Sequence, residues 1–220
     1  SLFFFKQPLQ AQGTWIPLSQ PNFDICAGVM LLLSDGTVMA KTQLNDVDAD
    51  NISAGWTILT PDQFGSYIDG SWNSATSMAD SRLYFSSRML RDGRLYVAGG
   101  EYGTGGQTSE LYDPVTGTWQ AGPVSNFKIL DANSEMLPDG RVLQGLVASP
   151  FNKNKFYNPQ TNLYSTAPSS FGNHDEATWL LLKDSSILLV DNYTYNSERY
   201  IPSINAWIHD SILPVQIYDS

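Results

Sequence analysis

Residues 88–100 read Arg88-Met89-Leu90-Arg91-Asp92-Gly93-Arg94-Leu95-Tyr96-Val97-Ala98-Gly99-Gly100. Two runs rich in apolar residues flank Asp92-Gly93. That dipeptide between β-favouring runs is a strong hairpin signal, because glycine takes the positive φ of the turn without steric cost. A third run, Glu110-Leu111-Tyr112-Asp113-Pro114, closes in a turn shortly before Trp119. The same order recurs on either side of this stretch. Val29–Leu33 enters Asp35-Gly36, Ser134–Leu137 enters Asp139-Gly140, and Trp179–Leu182 enters Asp184-Ser185. An aromatic stands 20 residues before each turn aspartate: Trp15, Trp72, Trp119 and Tyr164. A constant offset in four copies marks an internal repeat.

The remaining part of each unit varies in length, from 23 residues between Asp184 and Trp207 to 37 between Asp35 and Trp72. It carries the short run that ends in proline, as in Lys155-Phe156-Tyr157-Asn158-Pro159 and Glu198-Arg199-Tyr200-Ile201-Pro202. Proline is tolerated there because no ladder N–H is needed. Four short strands per unit, recurring every 43 to 57 residues, predict an all-β propeller of about four blades. Hairpin strands are expected near 29–33 and 37–41, 85–90 and 94–99, 133–137 and 141–147, 177–182 and 187–190. The blades then span roughly 28–73, 83–121, 131–166 and 175–208, with 14–18 as an outer or closing strand. Trp15, Trp72 and Trp119 are expected between blades.

Composition narrows the function. The chain has 220 residues, 22 acidic against 12 basic, and a net charge of −10. Nucleic acid and anionic membranes are gripped through Lys and Arg, so neither is an expected partner. Apolar runs such as Val29–Leu33 are far shorter than the roughly 20 residues that span a bilayer. Charged residues make up 15% and aromatics 12%, which suits a folded, turn-rich β protein. Cys26 is the only cysteine, so no intrachain disulfide forms.

The stretch Arg88–Gly100, continued through Glu110-Leu-Tyr-Asp-Pro114 to Trp119, resembles a kelch repeat, whose hallmarks are the paired glycines and the aromatic after the Asp-Pro turn. The third and fourth copies depart from it, with Gly145-Leu146 and Asp191-Asn192 near the glycine positions. Within kelch propellers, Arg82-Leu-Tyr84-Phe-Ser86-Ser87, Gly99–Gly106 and Cys26-Ala-Gly28 resemble the galactose-oxidase-like branch of copper-radical oxidases. That branch is secreted and has about seven blades, so the resemblance implies an extracytoplasmic protein. It also implies a fragment or shortened relative of a larger propeller, the alternative being a closed four-bladed ring. An open blade edge would then invite self-association. The branch cross-links a cysteine to a tyrosine that binds copper. By resemblance these positions are Cys26 and Tyr84, with Tyr102 as the aromatic stacked over the link. The branch's second tyrosine and two histidine ligands come from later blades and a further domain, and nothing in this chain replaces them.

Counting back about eight residues from each turn brings Cys26, Tyr84, Asp131, and Asp175 and Glu176 beside His174 to one mouth of the central channel, where propellers bind ligands. The other reading of these groups is that they cap local backbone. Asp46, Asp48 and Asp50 alternate as in the opening of a calcium loop. Asn51 and Thr57 then stand where the loop wants glycine and a bidentate glutamate, so a solvated acidic loop is the alternative. His174 and His209 are 35 residues apart, which does not make a zinc site. No Gly-x-Ser-x-Gly elbow occurs. Tyr102, Tyr193 and Tyr195 are placed to stack on sugar rings. The expectation is a binding or scaffold module for a carbohydrate or protein ligand, without an obligatory cofactor. The rival is the partial propeller of a copper oxidase.

Overall fold

The computed structural model describes residues 13–21, 25–42 and 52–216, with backbone alone for 25–28. Eighteen strands and no helix occur among them. The first sheet holds β1 (Ile25–Leu32), β2 (Val38–Thr42), β3 (Trp56–Thr60) and β4 (Ser71–Ser74) in that order. Next come β5 (Arg82–Leu83), β6 (Ser86–Met89), β7 (Leu95–Ala98), β8 (Tyr102–Gly103), β9 (Ser109–Asp113) and β10 (Thr118–Ala121). Of these, β6-β7-β9-β10 form the second sheet, while β5 and β8 pair separately. The third sheet is β11 (Ser134–Met136), β12 (Val142–Leu146), β13 (Lys153–Asn158) and β14 (Leu163–Ala167). The fourth is β15 (Thr178–Leu181), β16 (Ile187–Val190), β17 (Asn196–Ile201) and β18 (Ala206–Ile212). All pairings are antiparallel, between strands adjacent in the chain except that β7 pairs with β9 and β5 with β8, and the expected hairpins form.

The turn chemistry explains the register. Gly36, Gly93 and Gly140 take φ of 84°, 88° and 88°, and Ser185 is forced to 67° in the fourth turn. Each turn aspartate accepts the N–H two residues on: Thr37 to Asp35, Arg94 to Asp92, Arg141 to Asp139 and Ser186 to Asp184, at 2.9–3.1 Å. Asp therefore closes the turn with its own carboxylate. Consecutive turns stand side by side at one end of the molecule. Ser34 Oγ donates to the Gly93 carbonyl at 2.9 Å, and Arg91 Nη2 to that of Pro138 at 2.6 Å.

Alternation along each strand gives every sheet two faces. One cross-sheet row looks back at the preceding sheet: Met89–Leu95–Tyr112–Trp119, Met136–Val142–Tyr157–Tyr164 and Leu181–Ile187–Tyr200–Trp207. The other looks forward, as Arg88–Tyr96–Leu111–Gln120 and Glu135–Leu143–Phe156–Ser165 do. Three buried clusters result, one for each junction between consecutive sheets. The aromatics seal them. Trp119 lies 5.9 Å from Trp56 of the sheet before and donates its indole N–H to the Thr76 carbonyl. Trp207 donates likewise to Pro168, and the Tyr164 and Tyr96 hydroxyls meet at 2.7 Å.

Trp15 departs from expectation. Residues 13–18 carry no strand, and Trp15 is 99% exposed. The other aromatics of the series sit on outermost strands, each held by three strands that precede it in the chain. Trp15 has no such strands before it among the described residues, so neither ladder nor packing holds it.

Candidate functional site

Opposite the turns, the loops that enter β6, β11 and β15 converge. The first is fixed by β5 and β8, whose register sets Leu83 against Tyr102. Gly103 is required here: a Cβ would lie 2.3 Å from the Ser81 carbonyl oxygen. Beneath the pair lies Arg82, fully buried. Its guanidinium donates to the carbonyls of Gly99, Gly105 and Thr108, to Thr108 Oγ1, and to Glu110 Oε1 at 3.0 Å. Glu110 in turn accepts the N–H groups of Ala79 and Asp80 at 2.7 and 3.2 Å. A buried cation is tolerable when paired and hydrogen-bonded, and both terminal nitrogens of Arg82 are so held, although its buried Nε has no partner. The result is a rigid platform that holds Tyr84 at φ 51° and 61% exposed, with its ring edge-on to Tyr102 at 6.1 Å.

Gly100 links this platform to the next loop, donating its N–H to the Leu130 carbonyl at 2.7 Å. Asp131 follows. Its Oδ2 accepts the Glu176 N–H at 3.3 Å. Burial, then the neighbouring charges of Asp175 and Glu101, push its carboxyl up to about 6. Tyr193 donates its hydroxyl to Asp175 Oδ2 at 3.0 Å and Glu176 Oε2 at 3.4 Å, and Asn192 Nδ2 reaches Glu176 Oε2 at 3.0 Å. The hydrogen bond to Asp175 holds the Tyr193 phenol protonated well above its ordinary range. Asp131, Asp175 and Glu176 thus stand together, as expected from the spacing. Glu101 and Asn192 join them, residues that sequence reasoning did not select.

His174 does not stand with them. It is fully buried between Trp179 and Trp207, with ring centroids at 5.3 and 6.3 Å, and Nε2 lies 2.8 Å from Ser170 Oγ. Burial drives its imidazole down to about 3, so it is a neutral core residue. Counting ten residues back from each turn sets His174 where the second repeat has Arg82. That offset was the available signal for both. Glu110 and Glu198 share a second one, each two residues before the strand tyrosine; Glu198 caps the N–H groups of Phe171 and Gly172 as Glu110 caps its own loop.

Cys26 lies in β1, with its side chain outside the described residues, as are Asp46, Asp48 and Asp50 entirely. Among the described residues no group of three or more His, Cys, Asp or Glu is placed to hold a metal ion. His174 lies in the core and His209 stacks on Phe171 at 4.1 Å, so neither faces Tyr84. A cleft of about 440 Å³ opens at the turn end, between the third and fourth sheets. Its charged groups pair among themselves or with adjacent Arg199, Asp139 with Arg141 and Asp184 with Arg199. The mouth, where carboxylates and tyrosines remain exposed, is the better candidate.

Consecutive four-stranded antiparallel sheets, joined through alternating faces with their turns at one end, define a kelch-type β-propeller. No protein-family model matches the chain. In a match 133 positions long, which covers 48% of this chain and 27% of the relative, the chain is 32% identical to an F-box/kelch-repeat protein of Arabidopsis thaliana. In fold it is similar to the solved structure of YjhT, with a TM-score of 0.65 at 14% identity, covering 90% of this chain and 67% of that one. The first comparison supports the kelch repeat and the second the fold.

Proposed function

We propose that this propeller is a binding module whose ligand, a carbohydrate or a protein segment, seats at the mouth formed by Tyr84, Tyr102, Asp131, Asp175, Glu176 and Tyr193. The observation that carries this reading is convergence: two separate loops bring Asp131, Asp175 and Glu176 to one face, beside an exposed tyrosine pair on a third. Carboxylates accept hydrogen bonds from sugar hydroxyls or from cationic side chains, and tyrosine rings stack on either. The negative potential disfavours anionic ligands. An extracytoplasmic setting belongs to the same reading and rests on the galactose-oxidase-like resemblance. Oxidase chemistry finds no support in the described residues, and no step is assigned to copper.

Calorimetric titration tests the reading, with neutral oligosaccharides and a Lys/Arg-containing peptide as probes. Binding of one probe class, lost in Tyr84→Ala and in Asp175→Asn, is the expected result. Binding unchanged in both variants, or no binding by either class, counts against it.

A further inference from the structure

A carboxylate holds the loop that enters the second sheet and the loop that enters the fourth, but a lysine takes its position in the third. The strand tyrosines Tyr112, Tyr157 and Tyr200 pair with the outer aromatics, and two residues before them stand Glu110, Lys155 and Glu198. Glu110 accepts the N–H groups of Ala79 and Asp80, thirteen and twelve residues before their turn aspartate. Glu198 accepts those of Phe171 and Gly172 at the same offsets. In the third repeat these offsets fall on Asn126 and Phe127. The three loops are otherwise seated alike: one residue earlier, the N–H groups of Met78, Ser125 and Ser170 donate to the carbonyls of Ala54, Gln107 and Asn152 at 2.8–3.0 Å. Ser125 Oγ stands in for one carboxylate oxygen, accepting the Phe127 N–H at 3.1 Å. Nothing stands in for the other, and the Asn126 N–H has no acceptor among the described residues.

A cleft of about 270 Å³ opens beside this loop. Lys153, Lys155, Thr166 and Ser169 line it with Asn126 and Phe127, and neither Asp nor Glu does. Alternation sets Lys153 and Lys155 on one face of β13. Their ammonium groups lie over Phe127 and Tyr164, 3.9 and 5.8 Å from the ring centroids. Neither has a carboxylate within ion-pair distance among the described residues. Burial draws the Lys155 ammonium below its ordinary range. The counterpart of Arg82, ten residues before the turn, is the buried Ile129. The second repeat therefore sets an anion on the strand against a cation on the loop, whereas the third has two cations on the strand and no anion. From this inversion we infer that the cleft binds a ligand carboxylate, seated as Glu110 and Glu198 seat theirs, against the Asn126 N–H and the Lys153 and Lys155 ammonium groups. Such charge-assisted hydrogen bonds are about twice as strong as neutral ones. The hydroxyls of Thr166 and Ser169 offer donors to the rest of the ligand. In a chain of net charge −10, two unpaired cations in one cleft make a local positive potential that draws an anion.

This inference does not rest on the reading of the mouth. Amide correlation spectra of the nitrogen-15-labelled chain test it at constant ionic strength. The probes are N-acetylglutamate methylamide and glucuronate, with the matching glutamine compound and glucose as neutral controls. The expected result is a saturable shift of the Asn126 amide with one or both carboxylates and with neither control. Tighter binding of the first assigns the carboxylate to an acidic peptide side chain, and of the second to an acidic sugar. Lys155→Gln and Lys153→Gln should each weaken binding about fivefold. Lys155→Glu rebuilds the cap of the two sister loops, so it should move the Asn126 amide without ligand and abolish the response. Sheets two and four both accommodate glutamate at this position, and the two glutamine variants keep the test open should Lys155→Glu not fold. No shift with either carboxylate overturns the inference, as does an equal shift with chloride or sulfate. So does binding unchanged in both glutamine variants, or a folded Lys155→Glu that leaves the Asn126 amide in place.

Discussion

Single residues carry two of the features that distinguish this propeller. Gly99 sits at φ +80°, and a Cβ there would stand 2.2 Å from the Leu130 carbonyl oxygen. Backbone conformation and close approach both exclude a side chain, which explains the first glycine of the kelch pair. Gly99→Ala is expected to cost about 2–4 kcal/mol in urea unfolding. His174 supplies a pH dependence. Its folded-state value of about 3 lies below the ordinary 6.5, so the unfolded chain takes up a proton first as pH falls. Stability from this group is full above pH 6.5 and is lost towards pH 3, about 3 kcal/mol between pH 7 and pH 4. His174→Gln should flatten that part of the melting-temperature profile; a profile unchanged by the substitution would show that the imidazole is not held neutral. Asp131 acts oppositely. Its raised value favours the folded state below pH 3.8, and that contribution is lost as pH rises through 6.

At the scale of elements, a buried ion pair replaces a longer strand pairing. β5 and β8 have only two residues each, too few to hold a loop by ladder bonds alone. Arg82 anchors them through carbonyls on the turns around β8 and through Glu110 on β9. Arg82→Met should destabilise by about 3–5 kcal/mol, because Glu110 is left buried without its cation. Arg82→Lys should recover part of this only, since an ammonium cannot span the same acceptors. Equilibrium unfolding of the two variants checks the order; equal stability of both with the parent would remove the anchor from the account. The fourth repeat solves the same loop differently, with Glu198 capping Phe171 and Gly172 and a neutral histidine in place of the arginine.

For the whole molecule, charge is concentrated in a useful way. The chain carries a net −10, and the mouth gathers Glu101, Asp131, Asp175 and Glu176 at one end. Binding of a Lys/Arg-containing peptide should therefore weaken as salt is raised. It should also strengthen as pH rises through about 6, where Asp131 ionises. Asp131→Asn should abolish the pH effect and leave the salt effect, measured by the same titrations. A pH response that persists in Asp131→Asn would assign it to another group.

The hairpins, their turns and the inward-facing rows follow from the sequence alone. Asp-Gly pairs, strand alternation and the 20-residue offset are local, and local chemistry repeats visibly along a chain. Even the meeting of Asp131, Asp175 and Glu176 was legible, because equal offsets from equivalent turns bring residues to equivalent heights on neighbouring sheets. The fate of each side chain at that height was not. Arg82 and His174 share an offset from their turns, and Glu176 is two residues from His174. One is a paired cation, one a dry core imidazole, and one an exposed carboxylate. Trp15 likewise keeps the offset of its counterparts but lies in a segment, 13–18, that carries no strand and leaves it exposed. Burial is a property of the space between sheets, set by residues far away in the chain, and only the tertiary structure decides it.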